Sequence, residues 1–159
     1  MTYQVDARFM RLAIQKAREG ILEGQTPFGA CITRGAEIVS CTHNMVWQST
    51  DITAHAEIHA IRLACQKLGT IDLSGCAIYS TCEPCPMCFA ACHWARIAQI
   101  VYGANIQDAE ASGFHELHIS NAQMKELGGS PVEIVSDYLR DDALALFHFF
   151  EKQPDKRTY

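Results

Sequence analysis

The chain has 159 residues, 48% of them apolar and 19% charged, with a formal net charge of −5. That length and mix exclude a disordered chain and predict one domain over residues 1–159 with a core of its own. The acidic balance argues against a nucleic-acid binder, which draws affinity from clustered Lys and Arg; the lack of an apolar run of ~20 residues argues against a membrane span, and the lack of an export signal predicts a cytoplasmic protein.

Residues 6–24 are predicted to form a helix, because Met10, Ala13, Ala17 and Ile21 recur at helical spacing. Thr26, Pro27 and Gly29 break it. The β-prone runs Gly29–Arg34 and Glu37–Thr42 flank Arg34-Gly35-Ala36 and suggest a hairpin. A polar loop, Asn44–Asp51, precedes a helix over Ala54–Leu68, with Thr53 expected as N-cap and Gly69 as the stop. Cys76–Ser80 predicts a buried strand. Pro84 and Pro86 mark a turn into a second helix over Cys85–Arg96. A strand over Ala98–Tyr102, an irregular stretch to Ile119, a short helix at Ala122–Leu127, a strand at Val132–Val135 and a closing amphipathic helix at Asp141–Glu151 complete the pattern. Residues 152–159 form a polar tail. Strands alternating with helices after one hairpin predict a three-layer α/β/α sandwich around a five-stranded mixed sheet.

The eight cysteines are concentrated in one place. Cys82, Cys85, Cys88 and Cys92 lie within eleven residues, while Cys31, Cys41, Cys65 and Cys76 are scattered in apolar contexts. Reduced thiols are expected, with Cys31, Cys41, Cys65, Cys76 and Cys92 as small core residues. The cluster admits three chemistries. A redox dithiol at Cys85-Pro86-Met87-Cys88 lacks the usual flanking residues. An iron–sulfur site would use the C-x2-C-x2-C-x3-C spacing, but His93 stands where that run carries proline. A zinc site gains from a second segment, Thr53-Ala54-His55-Ala56-Glu57, which offers an imidazole and a carboxylate at a predicted helix start. One nitrogen and two sulfurs leave the fourth tetrahedral position for water, as in catalytic zinc sites. A structural zinc module would instead fill it with Cys82, Cys92 or His93.

His55-x-Glu57 with Pro84-Cys85-x-x-Cys88 resembles the signature of zinc-dependent nucleobase deaminases. The chain is similar to the cytidine-deaminase superfamily and, within it, to bacterial guanine deaminases. The resemblance rests on T26-P-F-G-A30, Asn44, D51-I-T-A-H-A-E57, C82-E-P-C-P-M-C88, W94-A-R96, D108-A-E-A-S-G-F114 and Tyr159. It implies one zinc per chain on His55, Cys85 and Cys88, with Glu57 as the proton carrier. It also implies base contacts from Phe28, Asn44, the Ala56 backbone, Trp94 and Tyr159, and an auxiliary catalytic role for Glu116. The expected reaction is guanine to xanthine plus ammonia. Adenosine in transfer RNA, cytosine and aminotriazines stand as alternative substrates, and an iron–sulfur protein as the non-enzyme alternative. A homodimer is implied, with C-terminal segments that could be exchanged between subunits.

Overall fold

The computed structural model describes residues 4–159. Helix α1 (Ala7–Leu22) starts at Asp6, whose side chain accepts from the Arg8 N–H. It lies close on β1 (Gly29–Arg34): a Cβ at Gly29 would run into the Ala13 carbonyl oxygen, so only glycine permits this approach. Strand β2 (Glu37–His43) returns antiparallel to β1. The short helix α2 (Val46–Ser49) interrupts the expected polar loop, and α3 spans Ala56–Leu68. Strand β3 (Cys76–Cys82), α4 (Pro86–Trp94) and β4 (Gln99–Ala104) follow. The remaining elements are α5 (Ile106–Ala111), α6 (Asn121–Gly128), β5 (Glu133–Val135) and α7 (Arg140–Glu151).

The sheet has five strands in the order β2-β1-β3-β4-β5. Strand β1 is antiparallel to both β2 and β3, while β3, β4 and β5 run parallel. This is the mixed α/β architecture expected. Both faces are covered. Ala30, Ile32, Ile78 and Ile100 pack with α3 and α4 residues such as Ala60, Ala64 and Phe89. On the other face Tyr79 and Val101 pack with Phe9 and Met10 of α1. Among the described residues no helix is long and apolar enough to cross a membrane.

Three local expectations are corrected. The N-cap of α3 is His55, not Thr53. Asp51 Oδ1 accepts from both the backbone N–H and the hydroxyl of Thr53, at 2.9 and 2.7 Å, and this turn occupies the threonine before the helix begins. Strand β3 continues two residues past Ser80, because Cys82 still pairs with Ala104. Cys31 and Cys41 are joined by a disulfide rather than held as separate thiols. A register shift at Ile32/Thr33 brings them directly opposite each other across the hairpin.

Candidate metal centre and active site

Except for Trp94, the expected site residues gather along one edge of the sheet, beyond the strand ends. Phe28 precedes β1, Asn44 follows β2, and Glu83-Pro84-Cys85 leaves the carboxyl end of β3. Such edges are where α/β sheets hold ligands. Helices α3 and α4 begin there. His55 and Cys85 occupy their N-cap positions with extended backbone, and Pro86 opens α4 without losing an intrahelical hydrogen bond. Cys88 is in the first turn of α4 and Glu57 in the first turn of α3. Both helix starts favour negative charge, hence thiolates.

His55 Nδ1 lies 3.6 Å from Cys85 Sγ and 3.6 Å from Cys88 Sγ. A tetrahedral zinc ion with bonds of about 2.3 Å to sulfur and about 2.0–2.1 Å to nitrogen requires an N···S separation of about 3.6 Å. The donor set therefore fits zinc in both chemistry and spacing. It is the only group of three or more potential ligands found among the described residues. Cys82 donates instead to the Asn105 carbonyl at 3.4 Å, His93 Nδ1 pairs with Ser130 Oγ at 2.9 Å, and Cys92 is enclosed in the core. Neither a four-cysteine cluster nor a fourth protein ligand is assembled from them.

Glu57 stands beside this group, only 5% exposed. Its Oε1 accepts from the Ser80 hydroxyl at 2.9 Å and its Oε2 from Cys88 Sγ at 3.5 Å. Burial raises its pKa. The Cys85 thiol goes the other way, down to about 4, through its hydrogen bonds with Cys88 and then His55. Glu116 is raised to about 7 by burial and by the nearby charges of Cys85 and Glu57. Two acids of raised pKa thus share one pocket with a soft ligand set.

The cleft is lined by Phe28, His55, Glu57, Cys82, Glu83, Cys85, Glu116 and Tyr159, and its free volume is about 20 Å³. Tyr159 roofs it. Its hydroxyl accepts from Asn44 Nδ2 at 2.7 Å, and its ring centroid is 5.6 Å from that of His55. Its backbone carbonyl accepts from the His115 N–H at 2.9 Å. The tail is held down by Trp47, whose Nε1 donates to the Arg157 carbonyl and whose ring carries the Arg157 guanidinium at 4.3 Å. Within the single chain the tail covers the site.

Phe28, Asn44, Glu116 and Tyr159 are thus brought to the site, and Ala56 is buried at the start of α3. Trp94 is not. It is 83% exposed and lines a different groove with Ile71 and Ser130. The helix explains this: Trp94 ends α4, eight residues from Pro86, and a rise of 1.5 Å per residue carries it roughly 12 Å down the axis from the helix start. Several contributors went unread in the sequence. Ser80 holds Glu57, and Trp47 and Arg157 hold the tail. Phe114 packs edge-on against both Phe28 and Tyr159. The alternation of the Cys76–Ser80 strand could have flagged Ser80; the others depend on long-range contacts.

Comparison with known proteins agrees with this geometry. The family model of the cytidine and deoxycytidylate deaminase zinc-binding region matches residues 3–104. A guanine deaminase of Bacillus subtilis is 44% identical over 112 residues, covering 70% of this chain and 72% of the relative. A tRNA-specific adenosine deaminase of the same species is 32% identical over 152 residues, covering 96% of this chain and 92% of the relative. The solved guanine deaminase of Nitrosomonas europaea superposes with a TM-score of 0.87 at 29% identity, over 96% of this chain and 88% of that one.

Proposed function

The chain belongs to the zinc-binding cytidine and deoxycytidylate deaminase family, and we propose that within it the protein deaminates a free purine, converting guanine and water to xanthine and ammonia. It is a hydrolase of a C–N bond, and zinc is its cofactor. His55, Cys85 and Cys88 would hold the ion. When bound, zinc supplies Lewis acidity that brings the pKa of a water toward neutrality.

Glu57 does the proton work. Its carboxylate takes a proton from the attacking water and delivers it to the ring nitrogen beside C2; it then takes the second proton from the hydroxyl now on C2 and delivers it to the departing amino group. The C2–N bond breaks, a C2–O bond forms, and Glu57 is regenerated. The Ser80 hydroxyl keeps Oε1 in place, leaving Oε2 turned toward the ligand group. Glu116, across the cleft, holds the exocyclic amino group or assists its protonation. Phe28 packs on the purine face, and the Ala56 N–H, left without an intrahelical partner at the helix start, faces a ring carbonyl.

The observation that carries a free base over a polynucleotide is the roof. The C-terminal Tyr159 caps a cleft of about 20 Å³, room for roughly one water, so a substrate must be small enough to be enclosed once the tail lifts. Asn44 Nδ2, which donates to Tyr159, becomes a donor to the base. The tail, residues 152–159, then completes the active site. The net charge of −5 supports the same choice. Similarity to the tRNA-specific relative makes an RNA substrate the rival. An ammonia-release assay on guanine, adenine, cytosine, guanosine and an RNA hairpin separates them: guanine should react, and reaction of the hairpin alone would reject the proposal. We also take the working unit to be a homodimer, with the exposed Trp94 and Ile71 as apolar surface available for it.

A further inference from the structure

One buried carboxylate in the cleft wall has no part in that chemistry. Glu83 is 5% exposed and lies on the loop that delivers Cys85. Its Oε1 accepts from the Asn121 backbone N–H at 2.8 Å, and its Oε2 from the Ile106 N–H at 3.2 Å. Its own N–H donates to the Ala104 carbonyl at 2.7 Å. Ile106 and Asn121 are the first residues of α5 and α6, where N–H groups have no intrahelical partner. Asn121 returns the grip: its Nδ2 donates to the Pro84 carbonyl at 2.6 Å. Its Oδ1 is buried without a partner among the described residues. An unpaired buried oxygen costs stability, and what the fold retains with it is the hold on Pro84, next to Cys85.

We propose that Glu83 and Asn121 are positioning residues: together they fix the backbone of Glu83-Pro84-Cys85 so that Cys85 Sγ stays at zinc-binding distance from His55 and Cys88. The same carboxylate tethers the starts of both helices that bracket the Glu116 loop, so the ligand loop and the Glu116 loop share one anchor. A glutamate is needed because two N–H donors face it. Glutamine offers one acceptor and one donor, and aspartate is one methylene short. This inference rests on His55, Cys85 and Cys88 being the zinc ligands.

The test is zinc affinity, measured by competition with a chromogenic chelator, together with the visible spectrum of the cobalt-substituted protein. Glu83→Gln should weaken zinc binding by about 10- to 100-fold, the usual effect of losing a group that orients a metal ligand, and should alter the cobalt bands. Asn121→Ala should weaken it too, with its backbone N–H to Glu83 intact, which keeps the test alive if Glu83→Gln does not fold. The double variant should fall short of the product of the single effects. Glu133→Gln, at an exposed carboxylate on β5, should leave affinity unchanged. Affinity within twofold of wild type in both variants, with equal loss of Tm in zinc-free and zinc-loaded protein, would overturn the proposal. Retention of zinc by Cys85→Ala would instead overturn the ligand assignment beneath it.

Discussion

Replacing Glu57 with glutamine isolates the proton carrier from everything else at the site. Gln is nearly isosteric, and its Oε1 can still accept from Ser80 at the 2.9 Å now seen. Its Nε2 would face Cys88 Sγ, which is 3.5 Å from Oε2 and accepts once the thiol is a zinc-bound thiolate. Both contacts survive, so the cost to folding should stay under about 1 kcal/mol. Removal of the buried carboxyl also removes its desolvation, the main cause of its raised pKa. What glutamine cannot do is accept and return a proton. General acid–base catalysis is worth about 10²- to 10⁴-fold, equivalent to about 2.7–5.4 kcal/mol of barrier. Steady-state ammonia release should therefore drop at least about 100-fold in kcat, while zinc content by atomic absorption and Tm remain those of wild type. Turnover within about tenfold of wild type, or loss of zinc in the variant, would refute the assignment.

Three further outcomes follow from the same geometry. Tyr159→Phe removes the hydrogen bond from Asn44 that the closed, ligand-free protein makes and that the base replaces; at about 0.5–1.5 kcal/mol for such a bond, KM should fall about 2- to 12-fold with kcat little changed. Glu116 sits at about 7 instead of its ordinary 4.5, through burial and then the charges of Cys85 and Glu57. If its carboxylate works in the reaction, kcat/KM should fall as pH drops through about 7, and Glu116→Gln should lose that limb of the profile. Because its folded pKa is raised, its contribution to stability is full below about 4.5 and is lost as pH rises through about 7. Asp108 is the opposite case. Burial works against its charge, but hydrogen bonds from Arg140 at 2.7 and 2.9 Å prevail and lower its pKa below 3.8. Its stabilisation is present above about 3.8 and fades as pH falls through the lower folded value. Asp108→Asn should cost about 0.5–1 kcal/mol in urea unfolding at pH 7, the pair being partly exposed to solvent.

What the sequence made legible was local or chemically specific. The strong helices and the hairpin followed from periodicity, and Gly69 does end α3 in the left-handed region at φ 66°. The gathering of His55, Cys85 and Cys88 beside Glu57 was legible because their spacings resemble the signature of zinc-dependent deaminases. The misses were matters of long-range register and direction. Without the bulge, the pairing Arg34↔Glu37 would have set Cys31 opposite Ser40 rather than Cys41. Four residues, Val46–Ser49, are too short for periodicity to mark α2. Trp94 reads as a pocket aromatic until the direction of α4 is known. Glu83 reads as a loop carboxylate until α5 and α6 present their first N–H groups to it.

X-ray absorption at the zinc edge tests the central claim most directly. The account predicts one zinc per chain with two sulfurs near ~2.3 Å, one imidazole nitrogen near ~2.0–2.1 Å and one further light-atom ligand, lost together in His55→Ala. A spectrum with three or four sulfurs, or with two imidazoles, would contradict it.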